Sequence, residues 1–85
     1  MAKSVFTEAY KSFLEAVITL RKDRGVTQVE LARRLGKPQQ FVSRYELGLR
    51  RLDVVEFYAI ASALGVEPAH AFAQVIKGFP EIVPI

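Results

Sequence analysis

The sequence predicts an all-α protein, a compact domain of five helices, and three observations carry that expectation. Apolar residues recur at spacings of three and four along most of the chain. Gly25, Gly36, Gly48 and Gly65 each close an apolar segment, where a helix often ends on a left-handed residue lacking a Cβ. No stretch shows the alternation of polar and apolar residues that marks a half-buried strand.

Taken in order, the first helix is expected over residues 5–23, where Phe6, Tyr10, Phe13, Leu14, Val17 and Ile18 share one face. The second, over 28–35, follows Thr27, which forms a capping box with Glu30, and carries Leu31, Ala32 and Leu35. The third, over 38–47, opens on Pro38, suited to a first helical turn, and its stripe is Phe41, Val42 and Tyr45. Asp53 and Glu56 repeat the capping signal for the fourth, over 53–64, with Phe57, Ile60, Ala61 and Leu64. The fifth, over 68–77, starts at Pro68 and carries Phe72, Val75 and Ile76. All but the first are too short to persist alone in water, so they must pack on one another.

Composition narrows the function classes. The 85 residues fit one domain, read as residues 1–78 with an apolar tail over 79–85. With no cysteine, neither a disulfide framework nor a Cys-based zinc site is available. The chain is 51% hydrophobic, yet no apolar run approaches the length of a membrane span. Acidic residues follow the N-terminus at once, unlike a secretory signal, so a cytoplasmic setting is expected. His70 is the sole histidine and lacks companions for a metal site. No triad or carboxylate pair emerges, so an enzyme is not expected, nor a cofactor or small-molecule ligand. Tyr10, Tyr45 and Tyr58 lie near apolar stripes and read as core or rim.

Charge is unevenly placed. The net +3 divides into +4 over residues 26–52 and −3 over residues 53–85, with the remainder in the first 25. A basic middle third suits a polyanion. That third also holds the tightest turn. The second and third helices, within a unit spanning about residues 27–48, are separated only by Gly36 and Lys37, which forces a steep crossing of the helix-turn-helix kind. Ala32 is small enough for close approach, and Leu31, Leu35, Val42 and Tyr45 fill the angle. Gln39, Gln40, Ser43 and Arg44 remain outward on the third helix. Gln can bond adenine N6 and N7 together, and Arg can do the same with guanine O6 and N7. Lys37 points the same way, beside backbone N–H groups suited to a phosphate.

The stretch Arg21 to Ala69 resembles the Cro and repressor family of DNA-binding domains, also called the XRE type of helix-turn-helix regulator. The shared pattern is RG-x-TQ-x-ELA-x-x-LG, then VS-x-YE-x-G-x-R, then ALGV. The resemblance implies that the third helix enters the major groove, with Gln39, Gln40 and Arg44 at reading positions and Ser43 beside them. It implies phosphate contacts from Gln28, Lys37, Arg50 and Arg51. It also implies a partly buried ion pair between Arg21 and Glu46, tying the first helix to the reading helix. Two departures stand out. Leu47 occupies a position that is often Asn, which removes one expected phosphate contact, and Pro38 cannot donate a backbone N–H.

The resemblance further implies a homodimer on a palindromic site of double-stranded DNA, most simply as a repressor of bacterial or prophage origin. Phe72, Val75, Ile76, Phe79, Ile82 and Val83 are the expected dimer contacts, because a tail so apolar must cover itself or a second subunit. Controller proteins of restriction systems and antitoxin-like regulators fit the same pattern. The rival of another class is an interaction module that keeps the fold but binds protein.

Overall fold

A computed structural model describes residues 7–85. Its elements are α1 (Glu8–Asp23), α2 (Gln28–Leu35), α3 (Gln39–Glu46), α4 (Val54–Ala63) and α5 (Pro68–Val75), closed by a 3-10 turn at Ile76–Gly78. Five helices are present and, among the described residues, no strand, as the periodicity predicts.

The ends of the helices follow from local chemistry. Thr7 caps α1 by accepting the Tyr10 N–H at 3.1 Å, so the helix begins at Glu8; the expected start at residue 5, and Phe6, lie outside the described residues. Thr27 caps α2 in the same way through the Glu30 N–H at 3.0 Å. The reciprocal half of the expected box is missing there, because the Glu30 carboxylate turns instead to Arg33 and Arg34. At α4 the box is complete: Asp53 accepts the Glu56 N–H at 2.7 Å and Glu56 accepts the Asp53 N–H at 2.9 Å. Pro68 is inside the first turn of α5, whereas Pro38 sits one residue before α3, at its cap. The fifth helix stops short of residue 77 because Phe79 precedes Pro80, which holds it extended at ψ 145°.

All four predicted stop glycines adopt positive φ. The consequence is largest at Gly36. Its left-handed turn lets its own N–H reach Arg33 O at 3.1 Å and lets the Lys37 N–H reach Ala32 O at 2.9 Å. Two of the four carbonyl groups left open at the end of α2 are thereby satisfied, and α3 starts three residues after Gly36.

The core lies where α1, α4 and α5 meet the α2–α3 pair. Val17, Leu31, Val42, Tyr45, Ile60 and Val75 are at most 1% exposed. Burying each such side chain contributes about 1.5–3 kcal/mol. Ala32 is buried in the α2–α3 angle and Leu35 packs at its edge. A polar tie crosses the core here: Tyr10 Oη accepts the Leu52 N–H at 3.0 Å, fastening the loop after α3 onto α1. Tyr45 is fully buried, which pushes its phenol pKa up by desolvation, while Tyr58 is exposed on α4. Among the described residues, no single helix is long and apolar enough to cross a membrane.

Candidate nucleic-acid interface

α3 is amphipathic over only eight residues, and its burial decides what it can present. Val42 and Tyr45 face the core, so Gln39, Gln40 and Arg44 are left exposed. Among the described residues Arg44 has no ion pair, so its fork of donors is open to an acceptor pair. Ser43 is half-buried, and its hydroxyl donates back to Gln40 O at 3.3 Å. A base or phosphate reaching Ser43 competes with that local bond.

Behind α3 lies a chain of side-chain hydrogen bonds. Arg21 Nε donates to Glu46 Oε2 at 2.7 Å and its Nη2 to Oε1 at 3.0 Å, a bidentate pair. Both side chains are at most 10% exposed. The third donor, Arg21 Nη1, reaches Val26 O at 2.9 Å. The hydrogen bonds to Glu46 hold the Arg21 pKa above its ordinary value despite the opposing effect of burial. Glu46 Oε1 also accepts from Gln28 Nε2 at 2.8 Å, and Gln28 Oε1 accepts from Gln39 Nε2 at 2.8 Å. The pair that the resemblance implies as a tie between helices thus continues, through α2, to the exposed start of α3.

The cations around this face are not equally available. Arg33 and Arg34 both bond Glu30, at 2.6 and 2.9 Å, and Arg34 Nη1 also donates to Ala63 O at 2.9 Å, joining α2 to the end of α4. These two bonds drag the Glu30 carboxyl down to about 2. Arg50 is bidentate to Glu56, at 2.7 and 3.0 Å, and lies over the Phe41 ring at 4.9 Å. Lys37 Nζ lies on the same ring at 5.6 Å. Phe41 therefore collects two of the cations expected at the phosphates. Arg51 stacks over Tyr10 at 4.1 Å, on the rim of the α1–α4 groove.

Several expectations need correction. The Lys37 backbone N–H is taken by the end of α2, so it cannot serve a phosphate; Gln39 and Gln40 begin α3 and Phe41 N–H is bonded to Pro38 O. Val75 cannot be a dimer contact, since it is 1% exposed within its own core. Phe79 packs against the same core, and Val83 is half-buried against a groove formed by Tyr10, Phe13, Phe57 and Phe72. The tail thus covers its own domain in part, which a run of apolar residues between prolines did not decide. Phe72, Ile76 and Ile82 are exposed. Sequence reasoning missed Val54, Val55 and Tyr58, which form an exposed apolar face on α4. It also missed the ion pairs of Glu30 and Glu56 and the place of Phe41 beneath two cations, of which only the Glu30 spacing to Arg33 and Arg34 was visible as i,i+3 and i,i+4 pairs.

Two short helices joined by a three-residue turn, with the second presenting amides and a guanidinium over a basic rim, define a helix-turn-helix module. Its profile matches a helix-turn-helix family, HTH_3, over residues 17–70. The chain belongs to this XRE-type helix-turn-helix family. It is 45% identical over 47 residues to the uncharacterized HTH-type transcriptional regulator y4dJ of Sinorhizobium fredii, a match spanning 55% of this chain and 61% of that relative. A solved XRE-family like protein from Pseudomonas syringae pv. tomato superposes with a TM-score of 0.78 at 38% identity, covering 86% of this chain and 89% of that one.

Proposed function

We propose that this protein is a sequence-specific, DNA-binding transcriptional regulator that acts as a homodimeric repressor on a palindromic operator. The observation that carries the reading is α3 itself: Gln39, Gln40 and Arg44 are exposed together on a helix whose other face is locked into the core. These three side chains have the donors and acceptors to read base edges, while Gln28, Lys37, Arg50 and Arg51 flank them with groups suited to the phosphates. Ser43 can join either set.

One such helix makes few base contacts, and two copies on a two-fold site multiply the effect without new contacts per copy. Half-sites about 34 Å apart place both reading helices on one side of the duplex. Exposed Phe72 and Ile76, with Tyr58, Val54 and Val55 of α4, supply the apolar surface for such pairing. Control by protein concentration or by competition at the operator is the simplest scheme.

The test is selection of bound sequences from a random duplex library at fixed salt. A palindromic motif with one half-site spacing is the expected result. A folded protein that enriches no motif would overturn the reading and favour a protein-binding module, for which exposed Leu47 and Leu49 beside α3 would be the contact. Sedimentation of a variant lacking residues 79–85 tests the tail separately. Its packing against the groove predicts lower stability with the dimer retained, and a stable monomer would assign the tail to the interface.

A further inference from the structure

Phe41 lies in the first turn of α3, and the protein core uses only part of its ring. The residue is half-buried, packed on the core and T-shaped against Tyr45 at 5.6 Å. Two cations gather on the same ring, Arg50 with Cζ at 4.9 Å and Lys37 with Nζ at 5.6 Å. One comes from before α3 and the other from after it, and they repel each other. A saturated side chain of similar volume would serve the core equally. What the ring adds is a negative face, which attracts cations.

The donors of Arg50 show what ligand that arrangement fits. A guanidinium has five N–H donors. Arg50 Nη1 donates to Glu56 Oε1 at 3.0 Å and to Arg51 O at 3.0 Å, and Nη2 donates to Glu56 Oε2 at 2.7 Å. The Nε–H and the second Nη2 proton find no acceptor among the described residues. They share one edge of the planar group, a fork that grips two oxygens of a carboxylate or a phosphate. Arg21 uses that same edge on Glu46. Lys37 has no ion pair among the described residues, so its ammonium is a third donor group on the ring.

We propose that Phe41 is a positioning residue for the DNA backbone, its ring holding the open edge of Arg50 and the Lys37 ammonium together as one phosphate clamp beside α3. The inference rests on the reading of α3 as a DNA-contacting helix. Both cationic side chains are long, and a phosphate must freeze their rotamers on binding. The ring removes part of that cost beforehand.

A double-mutant cycle on DNA affinity tests this, at one salt concentration, on the selected operator and on an unrelated duplex. Phe41→Leu keeps an apolar contact with the core and removes the ring face. It should weaken binding about tenfold on both duplexes alike, because phosphate contacts carry no sequence information. In a Lys37→Gln, Arg50→Gln background the same change should have no further effect, since no cation is left to hold. Phe41→Tyr keeps the ring face and should bind as the wild type does. An equal loss from Phe41→Leu in both backgrounds would assign Phe41 to the packing of α3 and overturn the proposal, as would unchanged or tighter binding. If Phe41→Leu does not fold, the two exposed cations carry the test. As halves of one clamp, Lys37→Gln and Arg50→Gln should lose less together than the sum of their separate losses, and additive losses would overturn the proposal. A wild-type protein that binds neither duplex would remove the DNA-binding function itself, an outcome visible before any variant is made.

Discussion

Removing the Glu46 carboxylate should cost more than any other single polar change in this domain. Glu46→Ala leaves the Arg21 guanidinium, buried to 9% exposure, with Val26 O as its remaining hydrogen-bond partner among those it now holds. Stranding one member of a buried pair costs about 3–5 kcal/mol. A domain of this length has a total stability of roughly 0.05–0.15 kcal/mol per residue, so the loss is a large share of the whole. At about 4–8 °C per kcal/mol, Tm should fall by at least about 12 °C. The double variant Arg21→Met with Glu46→Leu should behave differently. It removes the desolvation of both charges, leaves Val26 O unpaired at about 1–3 kcal/mol, and releases the half-exposed Gln28 amide to solvent. Its stability should therefore return to within about 2 kcal/mol of the wild type. Urea unfolding followed by circular dichroism measures both. A loss under about 1 kcal/mol for Glu46→Ala, or a double variant no more stable than the single one, would refute the account of the pair as desolvated and mutually dependent.

Other outcomes follow from the same geometry. Arg44→Ala should cost roughly 1–3 kcal/mol in operator binding and relax preference at one base pair per half-site, whereas equal weakening on every sequence would reduce Arg44 to a phosphate contact. Arg51→Ala should weaken binding on all sequences and flatten the salt dependence by about one unit of log–log slope, with a small stability loss from its stacking on Tyr10. Glu56→Gln should preserve the capping box at α4, because glutamine can also accept the Asp53 N–H, while releasing Arg50 from its ion pair. DNA affinity at low salt should then rise and the salt slope steepen; an unchanged slope would mean Arg50 serves only Phe41 and the loop. Stability should also decline as pH falls below about 4.5, since Glu30, lowered from 4.5 to about 2, and Glu56, lowered in the same direction, hold their folded-state bonds only while ionised. For a depressed carboxyl the contribution is complete above the unfolded value and is lost as pH drops through the folded one. Acid titration of a Glu30→Gln, Glu56→Gln variant should therefore show a shallower decline between about pH 4.5 and 2.

What the sequence determined by itself is the local part of the molecule. Helix existence, the stops at Gly25, Gly36, Gly48 and Gly65, the caps at Thr27 and Asp53, and the outward set Gln39, Gln40 and Arg44 depend on neighbours a few residues apart. Such interactions repeat with the helical period, so spacing exposes them. The resemblance added the long-range pairing of Arg21 with Glu46, which no spacing rule yields across 25 residues. Only the tertiary structure decided which cations are engaged. Arg50 on Glu56 and Phe41, Arg34 on Ala63 O, and Arg51 on Tyr10 join segments whose approach is set by core packing. Packing also turned Val75 inward and laid Val83 into an aromatic groove, although both read as available apolar residues in the chain. The hydrogen-bond chain from Glu46 through Gln28 to Gln39 is of the same kind. Each residue type permits several hydrogen bonds, and only the burial of a donor-less carboxylate at one end selects a single arrangement at the other.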